Sequence, residues 1–388
     1  MLSYIVKLSL SQRLLVALIS MLVIGFGVRA MLSLPIDAFP DISPTQVKII
    51  IKSPGMTPAE VESLITQPIE VELLGIPRKT ILRSLSKYAL SSITLDFEEG
   101  TDIYWARQQV AERLSAVWGN LPAGIGGGLA PMSTPLGDLF MFAVESEELS
   151  LEQKRFLLDW TIRPALRTVP GVADVNALGG FVKTYEVSPQ LGKMRALGVS
   201  NAALVDTLAA NNKNDGAGRI SQGEESMLVR IEGALTTIAD IESLQIPTQA
   251  GEKVRLNQVA TVTNGSLTRY GAVTSDGESE AVQGLVIGLR GVNVRELITN
   301  INAKLEEINA TLPDGTSTRV FHERSVLIEG AIGTVAKALL EAVALVLILL
   351  GLFLGSWRAA LTVAVVLPMS ALITFILMDL SSMTANLM

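Results

Sequence analysis

The chain has 388 residues, 49% of them hydrophobic and 18% charged, with a mean hydropathy of +0.42 and a net charge of −7. A typical soluble domain has about a quarter of its residues charged, and a nucleic-acid-binding domain carries a basic patch, so this composition argues against both. Cysteine is absent, which removes disulfide frameworks and thiolate chemistry.

The first predicted element is a transmembrane helix at about 12–34, since Leu14 to Val28 carries no charge and the run reaches Leu34 with only Arg29 inside it. A cleaved signal peptide is the alternative, with Val28-Arg29-Ala30 at the cleavage site. Three prolines in Leu34–Pro44 then give a rigid extended connector. Thr45–Ile51 reads as a strand. Thr57-Pro58-Ala59-Glu60 is a capping box opening a helix with Val61, Leu64, Ile65, Pro68 and Ile69 on one side, bent at Pro68. Ile81–Lys87 and Ser91–Phe97 are strands. Asp102 opens a helix with Ile103, Ala106, Val110, Leu114 and Val117 at helical spacing. This β-α-β-β-α order is that of a ferredoxin-like split βαβ unit. Gly124–Gly128 reads as a flexible turn.

A second such unit is interrupted. Leu139–Val144 is a strand, Ser150–Gln153 a capping box, Pro170-Gly171 a helix stop and Val172–Ala177 a strand. Ala281–Leu289, a helix capped by Asn293, and Thr318–His322 complete it. The two helix exits match: Leu121-Pro-Ala-Gly124 and Leu312-Pro-Asp-Gly315, with glycines 191 residues apart. The piece between Gly179-Gly180 and Asn264-Gly265 is separate, and its turn-rich Asn211–Gly218 reads as an exposed hairpin or arm. Two more apolar runs follow. Ala338–Trp357 holds only Glu341 and Ala359–Met378 no charge, predicting transmembrane helices at about 336–356 and 359–378 around a tight Gly355-Ser-Trp-Arg358 turn. A buried helical hairpin is the alternative.

The fold class is therefore an α+β membrane protein with three spans and a large outer region. Lys7, Arg13 and Arg358 mark the inner face, which puts Pro35–Thr334 outside with a net charge of about −10. No phosphate-binding loop occurs. His322 is the single histidine, so no catalytic triad is available, and neither an enzyme nor a cofactor is expected. Met56, Met132, Met141, Met194 and Met227 are scattered and read as core filling. No ionisable residue lies at mid-span: Glu341 and Asp379 fall toward the outer ends and Arg29 can snorkel.

Phe353–Arg358 with Leu367-Pro368-Met-Ser370 and Phe375 resembles the turn between the second and third helices of resistance-nodulation-division (RND) efflux permeases. Pro35–Pro44, Phe97–Tyr104, Ala106-Arg107, Val110–Leu114, Arg163-Pro164 and Val169–Val172 resemble the heavy-metal branch of that family. The resemblance covers the whole chain and implies the N-terminal third of a proton-driven permease in the bacterial inner membrane. Its implied domains are residues 1–34 (N-terminus and first span), 35–132 (first porter subdomain), 133–178 with 265–334 (second porter subdomain), 179–264 (docking insert with an intermonomer arm), 335–357 and 358–388 (second and third spans). It implies a homotrimer joined to a periplasmic adaptor and an outer-membrane channel, a metal cation or small-molecule substrate, and no nucleic acid. It places the family's proton-carrying acids past Met388, so the chain alone is not expected to pump. The motif residues carried over are Pro40, Gly100, Asp102, Arg107, Arg163, Pro164, Gly171, Arg358 and Pro368. Asp138 and Asp174 are the candidate metal contacts, because borderline cations accept carboxylates. The alternatives are a multidrug permease of the same superfamily and a membrane-tethered periplasmic binding or scaffolding module.

Overall fold

The computed structural model describes residues 11–34, 36–37, 43–133, 137–222, 225–354, 357–381 and 385–386; Lys7, Pro40 and the Gly355-Ser356 turn lie outside them. The chain divides into two compact units: Met1–Glu145 with Thr161–Ala177 and Gln283–Met388, and Ser146–Trp160 with Leu178–Val282.

In the first unit α1 (Arg13–Ser33) precedes β1 (Gln46–Lys52). α2 follows in three pieces, Pro58–Val61, the π turn Glu62–Thr66 and Gln67–Leu73. Thr57 and Glu60 form the expected capping box. The π turn has a local cause. Pro68 has no N–H, and its ring collides with the carbonyl one turn back. Widening that turn relieves the collision, and the Gln67 amide donates to Glu62 O instead. The extra residue also rotates the helix faces. Val61, Ile65, Ile69 and Leu73, each four apart, are fully buried, whereas Leu64, expected on the apolar side, is 47% exposed.

β2 (Lys79–Lys87) and β3 (Leu90–Phe97) form a hairpin closed by Tyr88 and Ala89, the latter at φ +59°. α3 (Ile103–Trp118) and β4 (Gly126–Leu129) complete the unit. The antiparallel order β2-β3-β1-β4 is the split βαβ arrangement. Its core joins Ile49, Ile51 and Leu95 of the sheet to Ile69 of α2 and Val110 of α3. The Gly124–Gly128 run is not the expected free turn, because from Gly126 onward it is an edge strand. A Cβ on Gly127 would stand 2.2 Å from Ile50 O at φ +126°, so only glycine lets β4 approach β1.

β5 (Asp138–Ser146) opens the second sheet. α4 repeats the device of α2: Leu151–Leu157, the π turn Leu158–Ile162, then Arg163–Leu166 with Pro164 at its start. β6 (Val172–Gly179) follows.

In the second unit β7 (Lys183–Pro189), α5 (Leu191–Ala196) and α6 (Asn201–Asn211) lead to β8 (Asp215–Gln222) and β9 (Glu225–Ile231), an antiparallel hairpin where an exposed hairpin or arm is expected. α7 (Ile238–Ser243), β10 (Gln245–Pro247), β11 (Lys253–Arg255) and β12 (Ala260–Ser266) follow, then β13 (Val273–Ser275). β12 pairs back on β7 from Ala260↔Pro189 to Ser266↔Lys183. Met194, Leu204, Ile241, Ile246 and Leu256 form this unit's core. Met194 fills space as expected, but Met227 on the hairpin is 52% exposed, since a two-stranded ribbon has no interior to receive it.

β14 (Ser279–Gly288) carries the chain back into the first unit, where α8 (Val294–Asn309) and β15 (Thr316–Glu323) complete the second sheet. β6 and the short β13 both pair with β14, which continues to β5 and β15. The second-third-first-fourth order of the first sheet thus recurs. Gly124 and Gly315, the glycines of the two matched helix exits, both take left-handed φ, +83° and +72°.

α9 (Ser325–Leu354) starts two residues after β15, and α10 (Trp357–Leu380) packs on both α9 and α1. Among the described residues two helices are long and apolar enough to cross a membrane, Leu14–Met31 in α1 and Gly333–Phe353 in α9. In α10 the apolar stretch is the shorter Pro368–Leu380. The two-residue strands Ile36–Asp37 and Ala385–Asn386 pair in parallel.

Candidate functional site

Asp174 sits on β6 beside the last piece of α4. Pro164 follows the π turn directly, and the widened turn relieves the clash of its ring as at Pro68; Arg163 precedes it and Arg167 closes the helix. Arg163 Nη2 donates to both Asp174 oxygens at 3.3 Å, and Arg167 Nε lies 3.4 Å from Oδ1. The Val175 amide donates to the same oxygen at 2.7 Å. Two guanidiniums against one carboxylate leave the cluster net positive. A cation approaching Asp174 would meet that charge first, so the local electrostatics favour a structural ion pair over a vacant ligand.

Asp138 differs. It is the exposed first residue of β5, opposite Ile287 across a bulge, and its side chain makes no hydrogen bond or ion pair among the described residues. No interaction joins Asp138 to Asp174 among those residues, and none of them forms a group of three or more His, Asp or Glu side chains able to hold a metal ion.

The other motif residues act as supports. Gly100 turns the chain at φ +78°, and Asp102 caps α3 by accepting from the Trp105 amide at 2.7 Å. Arg107 Nη1 donates to Ala130 O at 2.7 Å, bracing α3 against the residue after β4, and burial pushes its pKa below the usual arginine value. Gly171 takes φ +94° under Leu297 of α8, and its carbonyl accepts from the Leu289 amide at 2.8 Å. Arg358 is exposed in the first turn of α10, and Pro368 lies within that helix. His322 is exposed on β15.

Two clusters escaped the sequence reading. Asp96, 5% exposed on β3, accepts from Gln46 Nε2 at 2.7 Å and from Arg83 Nη2 at 2.6 Å. Arg290, after β14, donates through Nη2 to Ser43 O at 2.6 Å and through Nη1 to Pro44 O at 3.4 Å, while its amide donates to Met132 O at 3.2 Å. A cavity of about 80 Å³ lies beside Arg290, lined also by Gln46, Ile103 and Ser133. Nothing in local sequence marks either cluster, because each joins residues far apart in the chain.

Two sheets of split βαβ order in one chain with long apolar helices frame the comparison with known proteins. The sequence profile of the AcrB/AcrD/AcrF family matches residues 5–388. The chain belongs to the AcrB/AcrD/AcrF family. Similar proteins include the cation efflux system protein CzcA of Alcaligenes sp. (strain CT14), 39% identical over 99% of this chain and 37% of that protein. Protein HelA of Legionella pneumophila is 40% identical over 100% of this chain and 38% of its own length. Cation efflux system protein CusA of Escherichia coli (strain K12) is 34% identical, again over 37% of its length. A crystal structure of a heavy metal efflux pump superposes with a TM-score of 0.91 at 31% identity, covering 99% of this chain and 38% of that one. The chain thus spans well under half the length of the relatives it matches.

Proposed function

We propose that this chain is part of an inner-membrane RND permease that exports heavy-metal cations, driven by protons, in a homotrimer coupled to a periplasmic adaptor and an outer-membrane channel. The supporting observation is its likeness, over nearly all its length, to relatives named as cation efflux proteins. In this reading α1, α9 and α10 are three membrane spans. Residues 35–132 form the first porter subdomain, 133–178 with 265–334 the second, and 179–264 a docking insert whose β8–β9 hairpin is the intermonomer arm.

Asp138 is the proposed cation contact, having an exposed carboxylate without a partner among the described residues. Asp174 shares that path only if a cation displaces Arg163 and Arg167. The complete gene in a metal-sensitive strain should raise tolerance to divalent cations and not to dyes. Tolerance to dyes alone would support the multidrug reading, and tolerance to neither a binding or scaffolding module. Asp138→Ala and Asp174→Ala should each lower metal tolerance at unchanged membrane levels; unchanged tolerance in the double variant returns both to structural roles. A cysteine at Asn214 should be labelled from outside the inner membrane and one at Ser356 should not.

A further inference from the structure

α1 and α10 touch where Gly27 meets Leu372, since a Cβ on Gly27 would lie 2.6 Å from Leu372 Cβ. Toward Ser33 and Leu380 a groove of about 690 Å³ opens between them. Its apolar lining includes the half-exposed Leu22 and Phe26 with Ile376, and its end toward Ser33 and Leu380, the rim, carries Arg29, Ser33 and Asp379. The strands that follow the two helices pair in parallel, Ile36↔Ala385 and Asp37↔Asn386, which places both rims at the same end. The volume lies within the range of about 300–1,000 Å³ of small-ligand sites.

The rim is the unusual feature. Arg29 and Asp379 bear opposite charges, both are exposed, and no ion pair joins them among the described residues. Charged groups at the end of a membrane helix seek counter-charges in the headgroup layer. An anion alone would suit Arg29 and be repelled by Asp379, and a cation alone the reverse. A ligand carrying both signs on one short polar head, with an apolar tail, satisfies both groups and covers the exposed apolar lining.

We propose that this groove binds a zwitterionic phospholipid of the phosphatidylethanolamine type, with the phosphate at Arg29, the ammonium at Asp379 and one acyl chain along Leu22, Phe26 and Ile376. The site presupposes that α1 and α10 cross the bilayer, as proposed above. A headgroup held there would seat on two helices at once and fix their spacing above the Gly27 contact.

The chain, expressed in a bacterial membrane, is first washed in alkaline carbonate. It is then released in mild detergent and its retained lipids are read by native mass spectrometry. Wild type should keep phosphatidylethanolamine in preference to phosphatidylglycerol. Arg29→Gln should lower retention of phosphatidylethanolamine about fivefold, equivalent to about 1 kcal/mol for one charge. Asp379→Asn should shift the preference toward phosphatidylglycerol, and Glu341→Gln, outside the groove, should change neither. A photoreactive residue in place of Phe26 should form an adduct of lipid mass. Equal retention by wild type and the Arg29→Gln/Asp379→Asn double variant overturns the site, as does a Phe26 adduct with another protein segment or a second copy. Release of the chain by carbonate would instead overturn the membrane-span reading beneath it.

Discussion

Arg290 donates to the carbonyl of Ser43, 247 residues away in sequence, at 2.6 Å. That bond, with the weaker one to Pro44, ties the segment entering the first sheet to the loop after β14 in the second. Hydrogen bonds from charged groups contribute about 1.5–3 kcal/mol. Arg290→Ala should therefore lower the unfolding free energy of the first unit by about that amount, and Arg290→Lys by less, since Lys keeps the charge but not the fork. Chemical denaturation followed by tryptophan fluorescence measures both; equal losses would show that the fork geometry does not matter.

Gly127 makes a sharper test of backbone approach. Gly127→Ala puts a Cβ 2.2 Å from Ile50 O at a φ few L-residues adopt. The strain should cost at least about 2 kcal/mol and detach β4, seen as fast exchange of the Ala130 amide, which donates to Lys48 O at 2.8 Å. Gly126→Ala, with nothing within 4 Å of its Cβ, is the control and should leave that exchange slow.

Asp174 and Arg163 should be energetically coupled. A double-mutant cycle with Asp174→Asn and Arg163→Gln is expected to give about 0.5–2 kcal/mol, because the pair is mostly buried yet its 3.3 Å bonds are long. Zero coupling would mean that the arginines hold α4 by packing alone and leave Asp174 free for a cation.

The capping boxes predict a pH response. Bonds from the Thr57 amide and hydroxyl hold Glu60 below its ordinary pKa of 4.5, and those from Thr237 and Thr236 hold Asp240 below 3.8. A depressed carboxylate contributes stability that is fully present above the unfolded value and lost as pH falls through the folded one. The stability gap between wild type and Glu60→Gln should stay constant above about pH 5 and shrink below pH 4.5. A gap that grows on acidification would refute the assignment.

Sequence showed most of what is local. Apolar spacing located α3 and α8, and Thr57, Asp102, Ser150 and Asn293 announced their helices because caps lie within three residues of what they bond. The π turns were not legible, though Pro68 and Pro164 signalled their cause. Periodicity assumes 3.6 residues per turn, so a widened turn moved Leu64 to the wrong face. The glycine run before Leu129 read as a turn because its reason, the carbonyl of Ile50, lies some 75 residues back. Of the candidate site, Asp174 was named but its arginine partners were not assigned to it. Asp96 and Arg290 were missed because no short-range pattern encodes a contact that only the sheet order creates.

The first sheet turns from β2 to β3 in two residues, Tyr88 and Ala89, whereas the same place in the second sheet, between β6 and β14, admits about a hundred. Those residues depart and return through β7 and β12, paired from end to end. An addition whose ends leave side by side asks its host for no more closure than a tight turn does. The hairpin corner thus acts as a graft point and β7–β12 as the stem of the graft. Cutting below the stem and rejoining Gly179 to Ser279 through two residues should return the second sheet to the plan of the first. The intact corner at Tyr88-Ala89 is correspondingly the place where a foreign domain could be carried without disturbing the sheet beneath it.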